Sequence, residues 1–298
     1  MPREKPKTVD RIQSPPPPHW VGNGFHVRSV FSYDGDPQAT SPFLLCDYGA
    51  PKEFRPTTDR LGVGPHPHRG FETVTIAFQG EVDHRDSVGN HGHIGPGDVQ
   101  WMTAAGGVLH EELHGREFSR RGGVFEMAQI WVNLPAKLKM SSPGYQDLTT
   151  SKIPVVALAD GAGSVRVIAG DFRGTRGPAR TFTPVEMWEV RLAAGRTAEL
   201  SLPDGHTSLL LVTRGRVIVN ESPPASPEQL VVLSRAGQAF HVHAEQEATL
   251  LVLGGEPIAE PVVGYGPFVM NTWDEIRLAN ADFQAGRMGT LKSSIDGR

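Results

Sequence analysis

Glycine and proline interrupt the apolar stretches of this chain at short intervals, and that spacing constrains its fold more than any other feature. The sequence contains 34 glycines and 25 prolines, distributed throughout. Short stretches rich in β-branched residues, separated by turn residues, are typical of all-β proteins. In FETVTIAFQ, Thr73 and Thr75 alternate with Val74 and Ile76, which predicts a strand that is buried on one face. We therefore predict an all-β fold.

The strand candidates form two similar series, which predicts two β units. A chain of 298 residues is long enough for two compact units of roughly 100 to 150 residues each. Turn residues accumulate in SSPGYQDLTTSKIP, so we place the boundary near residue 150, with a first domain at 21–150 and a second at 151–298. Residues 1–20 are predicted to be a proline-rich tail, in which Pro15–Pro18 can enter neither a helix nor a central strand.

One segment near the C-terminus has the pattern of a helix. Thr272 followed by Glu275 matches a capping box, in which the two side chains satisfy backbone N–H groups at the start of a helix. We predict a helix within NTWDEIRLANADFQAG that ends before Gly286 and packs against a barrel.

The charge and the cysteine content restrict the classes of partner. A formal net charge of −4 and a pI near 6.3 provide no basic field for a phosphate backbone, so direct nucleic-acid binding is not expected. No stretch approaches the ~20 apolar residues of a membrane helix, and the charged, proline-rich start has no export signal. Cys46 is the only cysteine and cannot form an internal disulfide, which suits a reducing compartment and predicts a cytoplasmic protein.

Two short motifs predict a metal site. In GPHPHRG, His66 and His68 are two residues apart, so in an extended chain both imidazoles project from one face, and Pro67 limits the backbone between them. In GGVLHEELH, His110 and Glu112 repeat this spacing. Three neutral nitrogens and one carboxylate oxygen suit Fe(II), Mn(II), Co(II), Ni(II) or Zn(II), and affinity alone does not choose among these ions. We predict that the four side chains bind one transition-metal ion.

The same letters allow a second interpretation, a zinc peptidase. Residues 110–114 read HEELH and match the H-E-x-x-H signature, which requires a helix. The glycines at 106, 107 and 115 oppose a helix, since a glycine in a helix interior costs about 1 kcal/mol relative to alanine. This interpretation also leaves the HPH pair without a role, so we favour the extended segment. In that case Glu111 points the opposite way from its neighbours and is a solvent-facing or second-layer residue.

Two further His-x-His pairs are predicted to have no role in metal binding. His91 and His93 lie in the glycine-rich GNHGHIGPGD, which predicts an exposed hairpin loop with solvated histidines. His241 and His243 lie in a strand-like segment, but no third histidine or glutamate follows them at a comparable spacing. We therefore expect no second metal site.

The sequence closely resembles the pirin family of the cupin superfamily over about residues 22–290. The resemblance lies in HPHRGFETVTIAFQGEVDHRDS, GPGDVQWMTAAGGVLHEE, QIWVNLPAKLKMSSPGYQDL and GPFVMNTWDEI. It implies a bicupin fold, in which two cupin-type jelly-roll β-barrels face each other and only the N-terminal barrel holds a metal. It also implies the same four ligands, His66, His68, His110 and Glu112. The family metal is usually iron, here Fe(II), with Mn, Co, Ni, Cu or Zn as other divalent ions that such a site accepts.

The sequence departs from the general cupin pattern in which glutamate is expected to bind the metal. Many cupins use a glutamate soon after the two histidines as a ligand, which here is Glu72, whereas the resemblance implies that Glu112 takes that place in pirins. We therefore expect Glu72 behind the ligands. Trp101 and Met102 are expected in the barrel core and not in contact with substrate.

The resemblance implies two alternative functions. The first is a quercetin 2,3-dioxygenase-type reaction on a small aromatic, flavonol-like substrate with O₂, in which Glu112 acts as the catalytic proton acceptor. In this reading Gln129 is a polar residue that lines the pocket. The second is a non-enzymatic, redox-responsive regulator that acts through protein partners such as transcription or metabolic complexes. In both cases we expect a monomer.

Overall fold

A computed structural model describes residues 5–291, which form an all-β molecule with a C-terminal helix, as predicted. Residues 1–4 of the predicted tail and residues 292–298 at the other end of the chain lie outside the described part. In the first half the strands are β1 (Val9–Gln13), β2 (His19–Val21), β3 (Phe25–Ser32), β4 (Phe43–Phe54), β5 (Gly62–His68), β6 (Phe71–Gln79), β7 (Val82–Asp86), β8 (His91–Ile94), β9 (Val99–Thr103), β10 (Val108–His114), β11 (Gly123–Asn133) and β12 (Gly144–Leu148).

The second half continues with strands and ends in the longest helix of the described chain. The strands are β13 (Val155–Ala157), β14 (Gly163–Ala169), β15 (Asp171–Phe172), β16 (Thr175–Arg176), β17 (Val185–Leu192), β18 (Thr197–Ser201), β19 (Thr207–Arg214), β20 (Val217–Val219), β21 (Leu230–Leu233), β22 (Ala239–Ala244), β23 (Ala248–Gly255), β24 (Val263–Tyr265) and β25 (Phe268–Met270). The helices are α1 (Pro37–Thr40), α2 (Arg116–Arg121) and α3 (Trp273–Gln284), with 3-10 turns at Ala136–Leu138, Thr150–Lys152 and Ala159–Gly161.

Each half is a two-sheet barrel. In the first half a seven-stranded sheet, β12-β9-β6-β11-β4-β3-β2, packs on a four-stranded sheet, β5-β10-β7-β8. In the second half the seven-stranded sheet is β1-β21-β19-β23-β17-β14-β13 and the smaller sheet is β18-β22-β20. Neighbouring strands pair antiparallel throughout, which accounts for the short turns that the glycines and prolines provide. This is the predicted bicupin architecture.

The two seven-stranded sheets face each other through one apolar cluster. Val74 and Ile76 of β6 belong to this cluster together with Leu209 and Leu211 of β19, and all four are buried. The cluster therefore joins the two barrels with side chains from both.

This packing changes the predicted exposure of β6. We predicted a strand buried on one face, but Thr73 and Thr75 are buried as well as Val74 and Ile76. The reason is that the threonine face covers the interior of the first barrel, where Thr75 donates a hydrogen bond to Glu112, while the other face meets the second barrel. A strand between two packed layers has no solvent face.

The N-terminal segment, predicted to be a proline-rich tail, contains two strands that pair with the barrels. Strand β1 pairs antiparallel with β21 on the edge of the second barrel, and its Val9 and Ile12 pack against that barrel's core. Residues 14–18 carry no regular structure, as the prolines require, and β2 then pairs with β3 of the first barrel. The segment thus links the two barrels, because an edge strand can be built from a few residues that precede the prolines.

Thr272 caps α3 as predicted, but the reciprocal hydrogen bond to Glu275 comes from Asn271 and not from the N-cap residue itself. Thr272 is the N-cap, its hydroxyl accepts a hydrogen bond from the Glu275 N–H at 3.3 Å, and the Glu275 carboxylate accepts one from the Asn271 N–H at 3.1 Å. The helix ends at Gln284, before Gly286, as predicted. Within residues 5–291, no helix is both long and apolar enough to cross a membrane.

Candidate metal centre

Strands β5 and β10 bring the two predicted motifs together in the four-stranded sheet. The strands are antiparallel with His110 opposite His66, and the register shifts before Glu112 because β5 has an extra residue at Gly64 and Pro65. As a result, one ring nitrogen from each of His66, His68 and His110 lies within 4.8 Å of the others. His68 and His110 are buried, and His66 is partly exposed. The two-histidine motif on β5 and the single His110 on its paired strand β10 are therefore sufficient to build the cluster.

The Nδ1 atom of each clustered histidine already has a partner. His66 Nδ1 lies 2.8 Å from the Gly64 carbonyl oxygen, and His68 Nδ1 lies 3.3 Å from that of Pro267. His110 Nδ1 lies 3.4 Å from Nδ1 of a fourth histidine, His84. Since a carbonyl can only accept, the proton of His66 and of His68 is on Nδ1, which leaves Nε2 with a free lone pair.

The cluster fits a transition metal on two further observations. His110 Nε2 is buried and has no hydrogen-bond partner within the described chain, and a buried orphan nitrogen is costly unless it binds something. Zinc–nitrogen bonds are about 2.0–2.1 Å long, so two nitrogens on one ion are at most about 4.2 Å apart. The observed upper limit of 4.8 Å is close to this value.

The electrostatics keep the three imidazoles neutral. Burial is the largest cause in each case: it lowers the pKa of His66 below the ordinary value, and lowers the pKa of His68 and His110 well below it. The neighbouring imidazoles lower the pKa of His68 and His110 further. Only the neutral ring offers a lone pair to a metal, so the environment prepares all three side chains for coordination.

Glu112 lies on the same strand as His110 but is held by other residues. Its Oε1 accepts hydrogen bonds from Thr75 Oγ1 at 2.9 Å and from Gln100 Nε2, and its Oε2 accepts one from Gln129 Nε2 at 2.7 Å. The cluster of mutually close ligand atoms contains the three histidines and not this carboxylate. Coordination by Glu112 therefore stays a prediction.

A cavity of about 180 Å³ opens beside the histidines, between the two sheets of the first barrel. His66, His68 and Glu112 form one wall, and Gln129 lines it as predicted. The rest is mainly apolar, with Val21, Phe25, Val27, Val63, Met127 and Trp131. An apolar cavity with a few converging polar groups is the usual form of a small-molecule site.

One carboxyl group in this cavity has no counterpart in the motifs. Asp47 of β4 lines the cavity, is buried, and accepts a hydrogen bond from Ser29 Oγ at 2.6 Å. Burial raises the pKa of Asp47, although the hydrogen bond from Ser29 opposes the shift. The pattern FLLCDYG contains no histidine or second carboxylate that would have marked this position.

Two glutamates near the motifs do not join the cluster. Glu111 points away from the cavity, as predicted, but it is buried and forms ion pairs with Arg60 at 2.8 Å and Arg85 at 2.5 Å instead of facing solvent. Glu72 accepts a hydrogen bond from Thr103 Oγ1 at 2.7 Å and is absent from the described side chains that line the cavity. Trp101 and Met102 are fully buried core residues, as expected.

The remaining histidine motifs lie outside the cavity, with one correction to their predicted structure. His91 and His93 are exposed as expected. They lie on strand β8 and not in a loop, because HGHI pairs with β7. His241 and His243 lie on β22 and contact Glu199 and Thr197 on the neighbouring strand. Residues 110–114 are part of strand β10, so the helix that the zinc-peptidase interpretation requires does not form.

His84 and Asp86 are buried beside the cluster although no motif singles them out. They lie on β7, which pairs with β10 so that His84 is opposite Glu112 and Asp86 is opposite His110. In VDHRD the two residues have the same two-residue spacing as the histidines in the recognised motifs. This spacing would have indicated both residues if the pairing of β7 with β10 had been known.

Known proteins and family models match this chain along most of its length. A family model described as Pirin matches residues 24–132, and one described as the Pirin C-terminal cupin domain matches residues 187–289. A Pseudomonas aeruginosa protein named "Putative quercetin 2,3-dioxygenase" is 52% identical over 269 residues, which are 90% of this chain and 94% of that protein. A "Pirin-like protein" from Caulobacter vibrioides is 42% identical, over 85% of this chain and 90% of that protein. The crystal structure of a quercetin 2,3-dioxygenase from Acinetobacter baumannii is 49% identical, with a TM-score of 0.94 over 96% of this chain and 100% of that one.

Proposed function

The chain belongs to the pirin family, and on that basis we propose that its first barrel binds one divalent transition-metal ion and catalyses a quercetin 2,3-dioxygenase-type reaction. In this reaction O₂ cleaves the central ring of a flavonol-like aromatic substrate. The observation that carries the proposal is the convergence of three histidines, two of which, His66 and His68, line an apolar cavity. The names of the relatives support the type of reaction.

The metal ligands in this proposal are His66, His68 and His110, with Glu112 as the fourth. The three histidines have an available Nε2, and Glu112 is two residues from His110 on the same strand. Nitrogen donors with one carboxylate suit Fe(II), the metal we propose, and also Mn(II), Co(II), Ni(II) and Zn(II). When bound, such an ion supplies Lewis-acid and redox chemistry to a coordinated substrate hydroxyl.

Glu112 is the residue we propose as proton acceptor. Thr75 and Gln100 hold Oε1, so Oε2, which only Gln129 contacts in the described chain, is the oxygen that a substrate hydroxyl can reach. Gln129 keeps this oxygen directed at the cavity and donates a hydrogen bond to it. A positioned carboxylate of this kind typically contributes about 10²–10⁴-fold to proton transfer.

The cavity walls support a proposal for how the substrate lies. Phe25, Val27 and Trp131 provide apolar surface for an aromatic ring. Because a pocket that encloses a drug-sized ligand measures about 300–1,000 Å³ and this cavity measures about 180 Å³, one ring of a flavonol enters and the rest lies at the mouth. Asp47, on the apolar side, offers an oxygen to a ring hydroxyl.

The first test is metal-dependent turnover of quercetin. The protein is stripped with a chelator, reloaded separately with each divalent ion, and incubated with quercetin with and without O₂. We expect loss of the flavonol absorption band and release of carbon monoxide only with O₂ and only in metal-loaded protein. If no metal form consumes the flavonol, the proposed reaction is wrong.

A matched pair of variants tests the role of Glu112. Glu112→Gln removes the carboxylate that we propose both as proton acceptor and as fourth ligand, whereas Glu111→Gln changes the adjacent residue, which faces the other side of the sheet toward Arg60 and Arg85. We expect Glu112→Gln to lose turnover by at least about 100-fold and Glu111→Gln to retain it. Equal turnover of the two folded variants would assign the proton transfer to another group.

A further inference from the structure

His84 is a buried histidine that the proposed function does not use. Its side chain is fully buried on β7, and its ring centroid lies 5.3 Å from that of His110. The Nδ1 atoms of the two rings are 3.4 Å apart, and His84 Nε2 is 3.5 Å from Asp86 Oδ2. Asp86, His84 and His110 thus form a line that starts at a carboxylate and ends at the metal cluster.

Only one arrangement of ring protons allows His110 to donate to His84 and still leaves His110 able to bind a metal. If His110 Nε2 provides the lone pair, the ring proton is on Nδ1 and is donated to His84 Nδ1. His84 then carries its proton on Nε2, which lies 3.5 Å from Asp86 Oδ2, close enough for electrostatic attraction but without a hydrogen bond. The opposite arrangement protonates His110 Nε2 and blocks coordination, so the tautomer of His84 decides whether His110 is a ligand.

Asp86 is fixed at the outer end of the line. It accepts hydrogen bonds from the Val88 N–H at 3.1 Å, the Asn90 N–H at 2.9 Å and the Asn90 side-chain amide at 2.7 Å. These contacts are within the turn that follows β7, so the carboxylate cannot follow a moving ring. Its position favours the His84 tautomer with the proton on Nε2.

Tyr145 connects the same unit to the second predicted ligand on β10. Its ring stacks on His84, with centroids 4.9 Å apart and planes 19° apart. The Tyr145 hydroxyl donates to Gln100 Oε1 at 3.3 Å, and the Gln100 amide donates to Glu112. Tyr145 therefore contacts both His84, the partner of His110, and Gln100, which donates a hydrogen bond to Glu112.

His110 differs from the other two clustered histidines in the chemistry of its partner. Gly64 and Pro267 contact His66 and His68 through backbone carbonyls, which only accept and which no side-chain substitution removes. His84 can accept or donate, so the state of His110 depends on a side chain.

We propose that His84 is a positioning residue that fixes the tautomer and orientation of His110 and thereby sets the metal affinity of the site, and that Asp86 only orients the His84 ring. The inference rests on the metal site of the proposed function and extends it to a second layer of residues. Partners of this kind typically change metal affinity by about 10–100-fold when they are removed.

The test compares two substitutions that separate hydrogen bonding from packing. His84→Phe keeps a ring against Tyr145 but has no acceptor for His110, whereas His84→Asn loses the ring but keeps an oxygen near the position of Nδ1. The dissociation constant for Co(II) is measured by competition with a chelator, together with the visible absorption spectrum of the bound ion. We expect His84→Phe to weaken binding by about 10–100-fold and to shift the spectrum, and His84→Asn to stay close to wild type.

The alternative outcomes are distinct. If His84→Asn binds Co(II) as weakly as His84→Phe, or more weakly, His84 acts through packing and the proposal is wrong. The proposal also fails if His84→Phe binds as wild type does. His84→Leu supplies a second nitrogen-free side chain should His84→Phe not fold, as judged by circular dichroism of the metal-free protein.

Wild type and His110→Ala separate this proposal from the one on which it rests. If wild type binds Co(II), His110→Ala does not, and His84→Phe is unchanged, only the positioning role fails. If wild type binds no Co(II), or His110→Ala binds as well as wild type, the proposed metal site itself fails.

Discussion

The histidines of this chain are distinguished by the contacts of their ring nitrogens. The three clustered histidines each use Nδ1 for a contact with the protein and leave Nε2 free. His114, which is also buried, does the reverse: its Nε2 contacts the Gly24 carbonyl oxygen at 2.9 Å and its ring stacks on Phe125. Burial alone therefore does not identify a ligand, whereas burial with a free, converging nitrogen does.

The first prediction at this scale concerns the choice among the His-x-His motifs. We expect His110→Ala to lower Co(II) affinity by more than about 100-fold, since it removes a ligand and not only a supporting contact. His91→Ala and His243→Ala change residues outside the cavity and should retain wild-type affinity. Equilibrium dialysis of the folded variants measures this. Loss of Co(II) in His243→Ala would mean that the second barrel contributes to binding.

The second prediction concerns the pH dependence of stability. Burial raises the pKa of Glu72 to about 7, although the hydrogen bond from Thr103 opposes the shift. Between its ordinary value of 4.5 and about 7, Glu72 keeps a proton in the folded protein that it loses in the unfolded chain, so its contribution to stability is full below pH 4.5 and is lost as the pH rises through about 7. Glu72→Gln removes this loss, and at pH 8 it should raise the free energy of unfolding by about 3 kcal/mol.

Urea unfolding of wild type and Glu72→Gln across pH 4.5 to 8 measures the effect as a difference between the two proteins. Glu117→Gln is the control, because the Glu117 side chain is 70% exposed. A gap between wild type and Glu72→Gln that does not widen with pH would show that Glu72 titrates normally.

At the scale of elements, the segment after the second barrel folds back over the first. Gly70, directly after the HPHR residues, has a φ of +94°, and a Cβ there would lie 2.0 Å from the Val269 carbonyl oxygen, so glycine permits the close approach of β25. Arg69 is buried and pairs with Asp282 of α3 at 2.8 Å. The carbonyl of Pro267 in this segment contacts His68, so the C-terminal segment positions one proposed ligand.

A buried lysine fastens this segment, and its removal is the third prediction. Lys139 Nζ donates to the Gly70 carbonyl at 2.6 Å, the Val269 carbonyl at 2.9 Å and Asn133 Oδ1 at 2.6 Å. Lys139→Met leaves these oxygens unpaired, which costs about 1–3 kcal/mol for each buried group left unsatisfied. We expect lower stability and faster hydrogen exchange in β25 and α3.

Lys137→Met is the matched control, because Lys137 lies in the 3-10 turn that Lys139 caps but is exposed. Hydrogen exchange followed by mass spectrometry of the peptides that cover 268–284 gives the readout. If the two variants exchange alike, the segment is held by its apolar contacts alone.

At the scale of the whole molecule, the two barrels share the apolar cluster between their large sheets, but their interiors contain different side chains. On β19, Leu209 and Leu211 face the shared cluster, while Leu210 and Val212 face the interior of the second barrel. The corresponding inner face of β6 carries Thr73 and Thr75. The interior of the second barrel is filled by apolar side chains that cannot coordinate a metal, and the cluster found in the described residues contains no residue from it.

The shared cluster leads to the fourth prediction, that the barrels unfold together. Leu209→Ala removes a fully buried side chain between them and should cost about 2–5 kcal/mol. Hydrogen exchange should show the same loss of protection in β11 of the first barrel as in β23 of the second. Leu278→Ala, the same substitution at a residue that is 52% exposed, should have little effect. Loss of protection in β23 alone would mean that the barrels unfold independently.

The sequence by itself determined the all-β class, the C-terminal helix with its Thr272 cap, and the two motifs whose histidines cluster, because each depends on residues close together in the chain. Only the tertiary structure decided what meets each face of a strand. It buried Thr75 on the side that we expected to face solvent, placed His84 behind His110, and made an edge strand of residues 9–13. These features depend on contacts between segments far apart in the sequence, and strand periodicity specifies that a residue points to one face but not what that face packs against.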